Sequence, residues 1–204
     1  MKISFGQMLV ILTILGGIGI LGVLVINKSN DIEAKYREVV DVFAIAKDLG
    51  LNIDQFKKDI DSKEVKDKVA NDKAEATTRL NGSVYTPSIF IEGTEYKLQT
   101  LGDLETKLDA TVTDSDHPVL VEEFFDFNCP HCYEFEPYAL QVQEKFGDKI
   151  NFEMRYLPFL RPSSDTYAQA AEAAKKQGKY SEFTAILFSK IHGDGTGTVS
   201  SPIN

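Results

Sequence analysis

The chain has 204 residues, 43% of them apolar and 26% charged, with 22 Lys and Arg against 31 Asp and Glu and a net charge of −9. That composition suits a globular chain able to bury a core. The acidic balance argues against nucleic acid as a partner, since little would neutralise its phosphates. Two cysteines are too few for a disulfide-stapled mini-fold or a four-cysteine zinc site.

The charge is unevenly spread. Residues 1–30 carry Lys2 and Lys28 and no acid, so all 31 acidic side chains fall in the remainder. Residues 8–26 contain no charge, a run close to the ~20 residues that span a bilayer as a helix. Gly16, Gly17, Gly19 and Gly22 would weaken a helix in water, but lipid tolerates them. The reading is a signal-anchor over residues 1–30 that leaves 31–204 outside the cytoplasm. A cleaved secretory signal is the alternative, although no small-x-small site lies near 25–29.

The remainder reads as α/β. Ile32, Tyr36, Val39, Val40, Phe43 and Ala46 have helical spacing, and Gly50 can close that helix. Ile53, Phe56 and Ile60 mark a short helix over 53–61. Ser62 can cap a longer one with Val65, Val69, Ala76 and Leu80 inward and Gly82 as its stop. The period then changes: 88–98 reads as a hairpin turning at Glu92-Gly93. Leu101, Leu104 and Leu108 suggest a short amphipathic helix, and 111–118 reads as a polar connection.

Residues 119–127 (VLVEEFFDF) are the most strand-like run, apolar on both faces as in a central strand covered by helices. Cys132, Phe135, Ala139, Val142 and Phe146 continue directly as a helix ending at Gly147. Ile150, Phe152, Met154 and Tyr156 alternate as a further strand. Helices are expected over 164–176 and 180–191, followed by a Gly-rich tail.

Cys129-Pro130-His131-Cys132 sits at the strand-to-helix junction. The spacing puts both sulfurs on one turn, with Cys129 at the helix N-terminus, where free N–H groups and the dipole favour an anion. A thiolate there has a depressed pKa, and stabilising it makes the disulfide a stronger oxidant. His131 can add a hydrogen bond or positive charge, and Pro130 in the first turn costs no helical hydrogen bond. Competing readings are a metal site completed by His117 and His192, which lack ligand-like spacing, and a passive disulfide, whose small loop would constrain little.

The segment VEEFFDFNCPHCYEFEP resembles the active-site segment of DsbA-like thiol–disulfide oxidoreductases in the thioredoxin superfamily, and CPHC is the tetrad of that branch. VYTPSIFIEG separately resembles the family's cis-proline loop, strand and turn, and residues 48–82 resemble its helical insertion. The resemblance implies a thioredoxin-like fold with no cofactor and no metal. It makes Cys129 the attacking nucleophile, Cys132 the buried resolving thiol and Pro87 a cis-proline facing the sulfurs, with Thr86 offering its backbone to an extended substrate. Glu123, six residues before Cys129, matches a buried acid that relays a proton to or from Cys132. Glu122 beside it is the other candidate for the inward carboxylate.

The halves stand in the reverse of the family's order: a cis-proline half over 31–112, then a CxxC half over 113–204. The chain reads as a circular permutant behind an anchor. Two partial domains, pairing within or between chains, are the alternative. The expected function is a membrane-anchored extracytoplasmic oxidase of exported proteins with free cysteines. The resemblance further implies reoxidation by a quinone-linked membrane partner. An isomerase or reductase of the same fold, and a Cu(I) carrier using the CxxC pair, are the alternatives.

Overall fold

The computed structural model describes residues 40–193. The expected anchor over 8–26, the start of the first helix and the Gly-rich tail lie outside the described residues. Among the described residues no helix is long and apolar enough to cross a membrane.

Three capped helices come first. The Asp41 carboxylate accepts from the N–H groups of Phe43 and Ala44 and starts α1, Val42–Asp48. Asn52 does the same for α2, Ile53–Ile60, and the Ser62 hydroxyl for α3, Lys63–Arg79. Each such cap satisfies a free N–H and contributes about 1 kcal/mol. The hairpin follows, with β1 at Ser88–Ile91 and β2 at Thr94–Tyr96. Its turn residues Glu92 and Gly93 both have positive φ, 47° and 75°, the combination whose twist matches two paired strands.

The next helix differs from expectation. α4 runs over Leu101–Asp114, so 111–114 are helical and the polar connection is confined to 115–118. Thr111 and Thr113 read as loop residues by composition, but their hydroxyls donate to the carbonyls of Lys107 and Asp109 one turn back. Val112 packs onto the core beneath them. The expected junction between the two halves thus falls inside a helix.

β3 (Val119–Phe125), α5 (Pro130–Phe146), a 3-10 turn (Gly147–Lys149), β4 (Ile150–Tyr156), α6 (Ser164–Lys175) and α7 (Tyr180–His192) complete the order. β3 stops two residues before its expected end, because Asp126 begins the turn that carries the CPHC tetrad. The sheet order is β2-β1-β3-β4. β1 pairs antiparallel with both β2 and β3, and β3 pairs parallel with β4. The early hairpin and the later strand pair thereby form one sheet within a single chain.

β3 is central and buried on both faces, which accounts for its unbroken apolar character. On one face, Val119 and Val121 meet Leu104 and Leu108 of α4 and Phe135, Ala139 and Val142 of α5. On the other, Phe124 joins Phe90 from β1 and Ala76 and Leu80 at the end of α3. Phe125 and Phe127 lead into a third cluster, where α1, α2, α6 and α7 pack together beside the sheet's C-terminal edge. The CPHC turn sits at that edge, between sheet and helical cap.

Candidate active site

Cys129 is the N-cap of α5 and Pro130 its first residue. The Cys129 N–H donates to the Asp126 carbonyl, and its own carbonyl accepts from Tyr133 N–H, so the tetrad is one tight turn. Both cysteines are free thiols and nearly enclosed, at 4% and 1% exposure. The Thr86–Pro87 peptide bond is cis. It lies against the turn, and Cys129 Sγ donates to the Thr86 carbonyl at 3.4 Å. Two segments 43 residues apart therefore meet at one sulfur.

The two thiols are displaced in opposite directions. Cys129 is pulled down to about 6, chiefly because the Cys132 thiol donates to it. Burial opposes this, but the Thr86 hydroxyl and the backbone N–H groups of Cys132 and His131 add to the lowering. The Thr86 hydroxyl is buried with no hydrogen-bond partner elsewhere in the fold, which leaves it free to serve the Cys129 sulfur. Cys132 is pushed well up by burial, by the hydrogen bond it gives to Cys129 and by the charges of Glu123 and Cys129. One sulfur is thus held as an anion at neutral pH and the other as a thiol.

Beneath them on the α5 face is Glu123, 1% exposed, with Oε2 unpartnered. Burial, the neighbouring Glu136 and Cys129 raise it to about 8. Glu136 on α5 is raised by burial as well, and one of its oxygens is also unpartnered. Glu122 occupies the opposite face. Burial works against its charge, but Arg79 and Arg155 outweigh this and hold it below the usual carboxylate range. Both glutamates are inward, and only Glu123 lies on the sulfur side. The His131 ring points outward to Glu134, 3.1 Å away. What His131 offers the sulfur is its backbone N–H.

Several supporting residues went unnoticed in the sequence. Asp126, 2% exposed, accepts from Asn128 N–H on one oxygen and from Phe159 and Leu160 N–H on the other. Asn128 donates to Ser163 and Ser164. His192, weighed only as a metal ligand, places Nε2 2.7 Å from the Phe127 carbonyl and stacks on Tyr133. The one signal available was the polar pair Asp126 and Asn128 interrupting an apolar run just before the cysteines. Among the described residues no group of three or more His, Cys, Asp or Glu is placed to hold a metal ion; His117 lies against the Pro118 carbonyl.

Tyr85, Leu140, Phe159 and Leu160 are the large apolar side chains left exposed among the described residues. Leu140 lines a 580 Å³ groove between α5, β4 and α7. The other three stand on segments hydrogen-bonded to the active-site turn.

A family model described as Thioredoxin matches residues 105–201, a stretch that contains the CPHC turn. The chain contains a thioredoxin-like domain. Among curated proteins, the thiol:disulfide interchange protein DsbA of Burkholderia cepacia is 35% identical over 74 residues, covering 36% of this chain and 34% of that protein. A Na(+)/H(+) antiporter NhaA 1 of Mycolicibacterium gilvum is 32% identical over 93 residues, covering 45% of this chain and 15% of the antiporter. One from Salinispora arenicola is 38% identical over 72 residues, covering 34% and 11%. The chain thus spans a small part of the antiporters it matches and a third of the DsbA. The Thioredoxin and DsbA matches support a thiol–disulfide oxidoreductase in general.

Proposed function

We propose that this chain is a membrane-anchored, extracytoplasmic thiol–disulfide oxidoreductase that introduces disulfides into exported proteins through Cys129 and Cys132. The observation that carries the reading is the opposite displacement of the two thiols, Cys129 to about 6 and Cys132 well above an ordinary thiol. A low leaving-group pKa makes Cys129 the better sulfur to expel, and a stabilised thiolate favours the reduced enzyme over its disulfide.

In the oxidised enzyme a substrate thiolate attacks Cys129 Sγ. The Cys129–Cys132 bond breaks, a mixed disulfide forms, and Cys132 leaves with the electron pair. Glu123, raised to about 8, is protonated at neutral pH and can protonate that sulfur. A second substrate thiolate then attacks the substrate sulfur of the mixed disulfide and expels Cys129 as its thiolate. The substrate loses two electrons and two protons. The electrons reside on the two enzyme sulfurs, one proton stays on Cys132, and the other goes to solvent. Turnover needs a two-electron acceptor, for which the family resemblance implies a quinone-linked membrane protein. Phe159 and Leu160, exposed beside the turn, suit a polypeptide substrate better than a small thiol.

The anchor is supported by the uncharged run over 8–26. The reading of the domain as a circular permutant over 31–204, cis-proline half first, is supported by the pairing of β1 with β3 in one chain and by a family match that leaves the hairpin outside it. The test equilibrates the Cys129–Cys132 pair against glutathione and follows the pH dependence of Cys129 alkylation. An oxidase requires a half-point near 6 and a pair that glutathione readily reduces. A Cys129 that titrates as an ordinary thiol removes the assignment. Protease protection of the full chain in sealed membranes tests the anchor and its orientation.

A further inference from the structure

We propose that Tyr85, tethered to Glu95, is a specificity-determining residue that selects polypeptide substrates with an aromatic or large apolar residue next to the reacting cysteine. This deepens the thiol-exchange reading and rests on it. Cys129 Sγ lies 3.4 Å from the Thr86 carbonyl. A substrate sulfur bonded to Cys129 would bring its own backbone alongside the Thr86 carbonyl, and Tyr85 is the residue that precedes it in the chain. It is 39% exposed and, with Phe159, one of two Phe or Tyr rings left exposed among the described residues.

An exposed ring alone is a common surface feature; this one is held at both ends. Its hydroxyl donates to the Glu95 carboxylate on β2, and its backbone carbonyl accepts from the Ser88 hydroxyl at the start of β1. Burial of part of the ring and the nearby Glu95 push the phenol up to about 12, so the hydroxyl remains a donor at any working pH. A ring fixed before binding loses little further freedom when a partner packs on it, which is what makes rigid aromatic anchors effective recognition elements. The tether also engages the Glu95 carboxylate, so what Tyr85 has left to offer a partner is the apolar surface of its ring. Aromatic and apolar side chains pack on such a face; small polar or acidic ones gain little from it.

The full-length oxidised chain is mixed with two synthetic dithiol peptides that differ only in the residue following the attacking cysteine, Phe or Ser. Second-order oxidation rates are compared as a ratio. The wild-type chain is expected to favour the Phe peptide about tenfold. Tyr85→Ala is expected to bring the ratio close to one, and Tyr85→Phe, which keeps the ring and loses the tether, to reduce it roughly threefold. A ratio unchanged in Tyr85→Ala overturns the proposal, including the case where both rates fall together, which marks a structural role. If the alanine variant does not fold, the phenylalanine variant decides on the same criterion. A wild-type chain that oxidises neither peptide sinks the thiol-exchange reading itself. One that oxidises both equally sinks only the role of Tyr85.

Discussion

On the α3 face of the sheet, Glu122 lies between Arg79 and Arg155, and Arg155 also grips Asp72 and Glu75. On the α5 face, one residue further along the same strand, Glu123 is more deeply enclosed and its Oε2 has no hydrogen-bond partner. Both are buried carboxylates on β3, yet one is held charged and the other is pushed toward neutrality. The first arrangement fastens α3 to β3 and β4. The second leaves a titratable group under a reactive sulfur, where a movable proton is useful. The difference teaches where this fold uses charge for cohesion and where it leaves a site costly for the sake of chemistry.

The largest effect should come from breaking the paired side. Arg155→Ala removes the guanidinium shared by Asp72, Glu75 and Glu122 and leaves Asp72 to Lys68 and Glu122 to Arg79, and denaturant unfolding should show a loss of about 3–5 kcal/mol. The alkylation profile of Cys129 should stay in place, because no member of that cluster contributes to it. A shift in the profile would mean that the two faces are coupled.

Glu123→Gln probes the other side and should act in the opposite direction. The folded pKa of Glu123, about 8, lies above that of the unfolded chain. Its contribution therefore favours folding only below the ordinary carboxylate range and is lost as pH rises through 8. The glutamine variant of the reduced protein should match the parent at pH 4 and exceed it by about 3 kcal/mol at pH 7. It should also lower the titration of Cys132, which Glu123 raises. A gain independent of pH would contradict the neutral-carboxyl picture.

Cys129 itself has the reverse sign. Its folded pKa is depressed to about 6, so its contribution to the reduced fold is fully present above the ordinary thiol range. It disappears as pH falls through 6. A stability difference between the reduced parent and Cys129→Ser should grow from pH 6 to 9. The smallest expected effect is that of Thr86→Val, which removes one donor to the thiolate and should raise the Cys129 titration by about one pH unit. Thiolate absorbance in the ultraviolet reads it directly.

Much of this architecture was legible because its signals are local. The Ser62 cap, the Glu92-Gly93 turn and the apolar run of β3 each speak within a few residues. Thr86, Pro87 and the two cysteines were found the same way, each from its own short segment. The separate roles of Glu122 and Glu123 were not legible: a strand buried on both faces gives no sign of which face receives the arginines and which the sulfurs. Asp126 and Asn128 were missed for a related reason, since their partners lie 33 to 36 residues further along. α4 was read too short because a Thr-Val-Thr stretch is poor helix by propensity, and side-chain bonds to the preceding turn offset that deficit.

The pairing of β1 with β3 has a consequence for synthesis. As the ribosome delivers the polypeptide, the Thr86–Pro87 hairpin emerges well before its neighbour strand, and a two-stranded ribbon alone is barely stable in water. Its open edge waits for 119–125 to arrive, and Cys129 then precedes α6 and α7, the helices that complete its shelter. During that interval Cys129 is more open to stray oxidants than it will ever be again, which makes the speed of adding the sixty or so residues that run through α7, at roughly 5–20 residues per second, part of this molecule's chemistry.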